Sequence, residues 1–281
     1  MSGTLFVVAT PIGNLEDITL RALRVLREAD VIAAEDTRRT AKLLAHYSIT
    51  TSTLSFHAHN IRTRVPQLLG RLEAGKAVAL VTDAGTPGIS DPGTELIQAC
   101  WDNGIPVDPI PGASAPLAAA VASGFALDPL TIFGFVPARA KDRKLWMSRL
   151  QTVNETLTFF ETPHRIHQTL SEIPMYFGDR PILVARELTK RHQEFIRFDN
   201  AAIIGRMPEP RGEFTLVVGP RMARDTVADI GYEELIYNDF CRMTSELGMG
   251  RRAAISELAI KYGRSAKNVY EIVERLKNSP D

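Results

Sequence analysis

The densest run of unusual residues is Thr82-Asp83-Ala84-Gly85-Thr86-Pro87-Gly88-Ile89-Ser90-Asp91-Pro92-Gly93, where three glycines and two prolines follow a wholly apolar stretch. Glycine lets backbone approach a ligand and proline holds a loop's shape, so this segment reads as a rigid wall of carbonyls and amides. Thr10-Pro11-Ile12-Gly13-Asn14-Leu15 has a single glycine and is not G-x-G-x-x-G, and no G-x-x-x-x-G-K-[ST] occurs, so phosphate-cradling chemistry loses ground. Ile110-Pro111-Gly112-Ala113-Ser114-Ala115-Pro116 begins like a nucleophile elbow, yet Pro116 stands where that motif closes on glycine. Ser114 therefore reads as a helix cap or a hydrogen-bonding partner of a ligand. Ala34-Glu35-Asp36-Thr37-Arg38-Arg39 ends a strand in acids and opens a helix in bases, which either holds a ribose or caps the helix. His57 and His59, with Asn60, follow another strand, and His164 and His167 follow Glu161-Thr162-Pro163. Neither histidine pair has the acids or cysteines of a zinc site at recognisable spacing, so no metal is expected.

Two segments are strongly basic. Ala138 to Arg149 holds Arg139, Lys141, Arg143, Lys144 and Arg149 against Asp142 alone, with Trp146 among them. Arg180 to Arg197 holds Arg180, Arg186, Lys190, Arg191 and Arg197 against Glu187 and Glu194. Such patches on a chain that is neutral overall point to a nucleic-acid track, the alternative being solvated helix faces.

Elements must hold these loops. Leu5 to Ala9 is a continuous apolar run of the kind buried on both faces of a parallel sheet. A helix with Leu20, Leu23, Val25 and Leu26 and a strand at Val31 to Ala34 follow. The alternation recurs as helix Arg38–Tyr47, strand Thr53–Ser55, helix Ile61–Ala74, strand Ala77–Thr82, helix Thr94–Asn103 and strand Val107–Ile110. It predicts a doubly wound, mostly parallel sheet, with the loops above at the carboxyl ends of its strands, where such sheets bind ligands. After a small-residue helix, Ser114–Ala122, and a linker at Gly124 to Pro129, a second α/β unit is expected. Its strands would be Thr131–Val136, Thr156–Phe160, Ile182–Glu187, Glu194–Phe198 and Phe214–Val218, with helices near Lys144–Leu150 and Ile166–Tyr176. Ile182–Glu187 and Glu194–Phe198 lie too close for a helical crossover and should form a hairpin, which makes this sheet mixed. Pro208 to Gly212 forces a turn before the last strand. The tail is helical, and its end, broken at Gly263 and capped by Ser265, patterns like a helix-turn-helix. The expected domains are 1–123, 124–222 and a small helical appendage at 223–281.

Length and charge fit that plan. The chain has 281 residues, 33 basic and 33 acidic, and 44% of it is hydrophobic, so it carries folded domains and is no polycation that coats nucleic acid indiscriminately. Cys100 and Cys241 sit far apart in helical stretches and read as free thiols, fitting a reducing compartment. Leu5 to Ala9 is too short for a signal sequence, and Ala113 to Leu127 falls short of the ~20 apolar residues of a membrane span. A cytoplasmic protein that does not enter a membrane is expected.

In order along about residues 4 to 220, five segments together resemble the tetrapyrrole methylase superfamily: Thr10 to Leu15, Glu35 to Arg38, Asp83 to Gly93, Pro111 to Ala115, and Glu161-Thr162-Pro163-His164-Arg165. Tetrapyrrole-directed members have a shorter Gly-Asp-Pro loop. The longer Asp-Ala-Gly-Thr-Pro-Gly form here, with Glu-Asp-Thr-Arg, resembles the branch directed at RNA. The resemblance implies two α/β domains with S-adenosylmethionine (S-adenosyl-L-methionine) in the cleft between them, and a homodimer. It implies methyl transfer to the ribose 2′-hydroxyl of a cytidine in the decoding region of 16S ribosomal RNA, either naked or in the assembled small subunit.

Carried over motif by motif, Pro11 would line the cofactor cleft, and the backbone of Asp83, Gly85 and Ile89 would meet the methionine and ribose parts. Ser114 and Ala115 would lie near the methionine end, while Thr162, Phe214 and Thr215 would reach the adenosine. A sulfonium cation suits glycine-proline loops that offer carbonyls and no lysine. The reaction needs alignment and deprotonation of the hydroxyl, and Asp36, His57 and Glu161 can each be argued as the base because each ends a predicted strand. RNA contacts are expected from Arg38, Arg39, His59, Asn60, Arg139, Lys141, Arg143, Lys144, Arg186, Lys190 and Arg191. Two other functions compete. One is methylation of a tetrapyrrole ring on the same fold. The other is DNA-binding regulation through the tail, whose stretch from Ser265 to Lys277 is nearly balanced in charge.

Overall fold

The apolar runs form strands and the amphipathic runs between them form helices in the expected alternation. The first sheet is built from β1 (Leu5–Val8), α1 (Leu20–Glu28), β2 (Val31–Ala34), α2 (Thr37–His46), β3 (Thr53–Ser55), α3 (Ile61–Glu73), β4 (Val78–Val81), α4 (Thr94–Asp102) and β5 (Val107–Ile110). Its strand order is β3-β2-β4-β1-β5, and every pairing is parallel. Alternate residues of each strand go to opposite faces. Val8, Ile32, Ala34 and Val81 bury against Leu23 and Leu26 of α1 and Leu44 of α2, while Leu5, Val31, Val78 and Leu80 bury against Leu68 and Leu72 of α3 and Leu96 and Cys100 of α4. Two helices on each face make the sheet doubly wound. Its central strands therefore carry apolar residues at every position instead of every second one. The connection from β2 leaves toward β3 and that from β4 leaves toward β5, so their ends diverge and open a crevice between the loops that begin at Glu35 and Thr82.

The second sheet follows α5 (Ala115–Ser123), with β6 (Leu130–Phe135), α6 (Ala140–Gln151), β7 (Thr156–Glu161), α7 (Ile166–Phe177), β8 (Ile182–Arg186), β9 (Glu194–Phe198) and β10 (Phe214–Val218). Strand order is β6-β7-β10-β8-β9; β6 runs parallel to β7, and the remaining pairs, including the β8–β9 hairpin, are antiparallel. Phe159, Val184 and Leu216 bury one face against Met147 of α6 and Leu170 of α7. The other face, through Leu183, Ala185 and Val217, takes Ala119 of α5 together with Ile12 from the loop after β1. Thus α5, placed with the first sheet by sequence position, packs on the second, because its alanines leave room for close approach to the strands.

Arg180, expected in a basic patch, is only 3% exposed. Its guanidinium donates to the carbonyls of Gly219, Val153 and Glu155 at 2.7, 2.6 and 2.6 Å. Burial pushes its pKa down to about 10.

The computed structural model describes residues 3–178, 180–198, 210–221, 226–245, 248–262 and 266–277. Both sheets lie within one compact unit, 1–221, and a second unit spans 222–281. The second unit holds α8 (Thr226–Ser245), α9 (Arg251–Lys261) and α10 (Ala266–Lys277) around Ile236, Leu258, Val269 and Ile272. The expected cap at Ser265 and the turn at Pro208 and Glu209 lie outside the described residues. Cys100 and Cys241 are free thiols. Among the described residues no helix is long and apolar enough to cross a membrane.

Candidate functional site

The loop after β1 is zipped to the loop after β4. Thr10 and Gly85 exchange backbone hydrogen bonds, Thr10 N–H donating to Gly85 O at 2.9 Å and Gly85 N–H to Thr10 O at 3.0 Å. The hydroxyl of Thr10 donates to the Thr82 carbonyl at 3.1 Å. Gly85 takes φ +78°, a left-handed conformation that favours glycine. Gly112 presses on the segment just after β1 so closely that a Cβ there would lie 2.9 Å from the Ala9 Cβ. Three loops from three strands are therefore fused into one stiff rim.

That rim faces the ends of β6, β7 and β10 across a cleft of about 420 Å³, within the ~300–1,000 Å³ of small-molecule sites. Asp83, Gly85, Ile89, Ser114 and Ala115 line it from the first sheet, and Thr162, Phe214 and Thr215 from the second. Pro11 does not; it lines a smaller neighbouring recess with Thr40 and Leu43, turned away because Ile12 takes the place between the sheets. Sequence reasoning passed over Asp91, Phe135 and Phe160 as individual site residues, and all three line the cleft. The rings of Phe135 and Phe160 lie 5.1 Å apart, and Phe135 is half exposed, an apolar wall fit for a flat ring. Asp91 lies inside the glycine-proline loop, where nothing in its spacing sets it apart.

Of the three residues argued as bases, two lie off the cleft and the third is locked by ion pairs. Asp36 does not line the cleft: its carboxylate caps α2, accepting from the Arg38 backbone N–H at 2.8 Å and pairing with the Arg38 guanidinium at 3.2 Å. Those bonds hold its pKa below the usual carboxylate range, which makes it a poor proton acceptor. His57 also lies off the cleft, beyond edge strand β3, where the Asn60 amide knits the turn by binding the Ser55 carbonyl at 3.1 Å and accepting from the His57 N–H at 2.9 Å. Glu161 adjoins the cleft, but its side chain is fully buried. Its carboxylate pairs with Arg165 at 2.9 Å and Arg143 at 3.5 Å, and it accepts the Thr162 N–H at 2.7 Å. It holds the Thr162 turn in place and has no lone pair to offer a substrate.

The residues expected on RNA divide in the same way. Arg143 is corrected: it is 3% exposed, wedged between Glu161 and Glu172, with its Nε donating to Glu172 at 2.6 Å and Nη2 to Thr169 at 2.8 Å. Arg139, Lys141 and Lys144 stand exposed around it on α6. Arg38 is exposed beside the cleft, and Arg39, which lines it, pairs with Asp83 at 3.2 Å. Arg186 is spent on the Arg211 carbonyl at 2.8 Å and Glu194 at 3.2 Å, and Lys190 on Glu187 at 2.7 Å and Glu213 at 3.0 Å. Arg191 is exposed on an open groove shared with His46 and the loop after β1. His59 is exposed and Asn60 belongs to the turn.

Residues 4–203 match the family model for Tetrapyrrole (Corrin/Porphyrin) Methylases. The chain is 41% identical over 272 residues to the Ribosomal RNA small subunit methyltransferase I of Halalkalibacterium halodurans, an overlap of 96% of this chain and 94% of that one. To the Synechocystis protein of the same name it is 42% identical over 273 residues, 96% and 97% of the two chains. A solved uroporphyrin-III C-methyl transferase from Thermus thermophilus, complexed with S-adenyl homocysteine, shares the fold with a TM-score of 0.54 and 18% identity over 77% of this chain and 97% of its own. The fused rim, the facing second sheet and these matches together place the chain in the tetrapyrrole (corrin/porphyrin) methylase family.

Proposed function

We propose that the protein is an S-adenosylmethionine-dependent methyltransferase acting on the 2′-hydroxyl of a cytidine ribose in the decoding region of 16S ribosomal RNA. The observation that carries the reading is the cleft itself: backbone-rich turns and the carboxylates of Glu35 and Asp83 on one side, and Phe135, Phe160 and Phe214 on the other. A nucleoside attached to a sulfonium cation has this polarity, a positive centre at one end and a flat base at the other. S-adenosylmethionine supplies a methyl carbon bonded to that cationic sulfur.

The chain's own residues do the positioning. Asp83 and the Gly85 turn give the cation a negative wall, Thr162 is fixed by Glu161, and Ser114 starts the helix that lies on the second sheet. Exposed Arg38, Arg139, Lys141, Lys144 and Arg191 surround the fold with phosphate-binding charge. The names of the relatives add the RNA substrate, and the loop form described above favours the RNA branch over the tetrapyrrole one. We take the chain as two α/β domains, with α5 counted to the second because it packs on that sheet, and a helical appendage at 222–281. We take the working form as a cytoplasmic homodimer, since Leu117 and Val121 leave apolar surface exposed at 50% and 72% on α5.

The test is transfer of tritium from methyl-labelled S-adenosylmethionine to small ribosomal subunits from cells that lack the modification. Label recovered in a 2′-O-methylcytidine supports the reading. Label that passes only to a uroporphyrinogen or corrinoid acceptor overturns it in favour of ring methylation, and a shifted duplex DNA without methyl transfer favours the regulator.

A further inference from the structure

Five carboxylates line the cleft, those of Glu35, Asp83, Asp91, Glu161 and Glu213. Four already have partners. Asp83 accepts the Asp36 N–H and pairs with Arg39, Glu35 accepts the Asp83 N–H at 3.3 Å, Glu161 is locked by Arg143 and Arg165, and Glu213 pairs with Lys190. Asp91 makes no hydrogen bond or ion pair among the described residues. Its backbone setting is constrained, between Ser90 at φ +65° and Gly93 at φ +153°. The same segment touches the second sheet, since a Cβ on Gly134 of β6 would lie 3.3 Å from the Ser90 Oγ. A carboxylate with no partner among the described residues is thus held at the seam where both sheets line the cleft.

Resting on the methyltransferase reading, we propose that Asp91 is the catalytic residue that accepts the proton of the ribose 2′-hydroxyl. As the hydroxyl oxygen bonds to the methyl carbon, the carbon–sulfur bond breaks with its electron pair left on sulfur. The hydroxyl proton passes to a carboxylate oxygen of Asp91 and from there to water. Burial, then the neighbouring charges of Glu35 and Asp83, push the Asp91 pKa up to about 6. The acid is therefore ionised at neutral pH yet a stronger base than an ordinary carboxylate. The cations near these groups are Arg39 on α2, Arg143 and Arg165 behind Glu161, and Lys190 beside Glu213, and each is paired with a carboxylate other than Asp91.

The experiment compares the full-length protein with Asp91→Asn and Asp91→Glu, using tritiated cofactor and unmodified small ribosomal subunits across pH 5 to 9, with calorimetry of S-adenosylhomocysteine binding alongside. Expected are a wild-type rate that falls on the acid side near pH 6, a drop of ~100-fold or more in Asp91→Asn with that fall abolished, unchanged product heat, and partial rescue in Asp91→Glu with the acid limb displaced. Near wild-type turnover in Asp91→Asn, or residual activity that keeps the wild-type acid limb, overturns the proposal. So does joint loss of turnover and heat, which would make Asp91 a cofactor ligand. Absence of heat in the wild-type protein strikes the methyltransferase reading itself, and the base falls with it.

Discussion

The backbone N–H of Asp36 donates to the Asp83 carboxylate at 3.0 Å, tying the end of β2 to the end of β4 across the crevice where their connections diverge. Asp83 thus joins two strand ends from within a rim that Thr10 and Gly85 join from the other side. Asp83→Ala should leave that N–H without its acceptor and Arg39 without its partner, at a cost of about 1–3 kcal/mol. S-adenosylhomocysteine affinity should fall at least ~10-fold. Urea unfolding and calorimetry read the two effects, and a variant as stable and as tightly binding as the parent would refute the bracing role.

Arg38 and Arg39 are neighbours in sequence, both exposed and each paired with an aspartate, but only Arg39 lines the cleft. The Arg38 side chain is 88% exposed, whereas Arg39 reaches the cleft and pairs with Asp83. Arg38→Ala should lower methylation of ribosomal subunits, most clearly at low salt, with a shallower salt dependence than the parent and product heat unchanged. Arg39→Ala should weaken both. Equal loss of cofactor heat in the two variants would contradict the division.

Arg143 should behave as a core residue. Its removal takes from fully buried Glu161 one of its two cations and from partly exposed Glu172 its partner, so Arg143→Ala should cost about 3 kcal/mol. Lys144→Ala, one residue on and exposed, should stay within about 0.5 kcal/mol of the parent. Denaturant midpoints measured side by side test this, and a stable Arg143→Ala defective only in RNA binding would place Arg143 back on the surface.

The basic runs show why the fold was legible in the sequence while the site was legible only in part. Strand and helix order follows from burial on two faces against burial on one, a pattern written in consecutive residues such as Val78 to Val81. Most of the positions expected at a cofactor line the cleft, because glycine and proline mark loops. Charge reads differently. Arg139, Lys141, Arg143 and Lys144 look alike in the sequence, and only the helical turn of α6 decides that Arg143 points inward to Glu161. Glu161 was visible as a strand end, but the two arginines that lock it come from α6 and from the turn before α7. Asp91 was hidden for the converse reason: what distinguishes it is the lack of a partner, which no spacing reveals.

Gly13 sets how closely the sheets approach. A Cβ there would lie 2.7 Å from the Leu188 carbonyl oxygen and 2.5 Å from Lys190 Cγ, beside the bond from the Asn14 N–H to Thr189 Oγ1 at 3.0 Å. Gly13→Ala should cost about 1–3 kcal/mol through overpacking, and it should weaken cofactor binding by spreading the cleft. Gly70, on α3 with open space around its Cα, offers the control: Gly70→Ala should stabilise by about 0.5–1 kcal/mol. Denaturation of both variants, with product calorimetry on the first, checks the contrast.

Asp91 should also leave a mark on stability. A carboxyl whose folded pKa is raised favours the folded state while protonated; for Asp91 that contribution is present below about pH 3.8 and is lost as pH rises through about 6. At ~1.4 kcal/mol per unit, and with screening by solvent at a half-open position, the loss is on the order of 1 kcal/mol. Asp91→Asn should therefore be more stable than the parent by about that amount at pH 7.5 and no more stable at pH 3.5, even as turnover falls, the trade expected where a charge is kept in a poor environment for chemistry. Urea unfolding at the two pH values decides the matter, since an equal difference at both would show that Asn acts through packing and that the Asp91 carboxylate carries no strain.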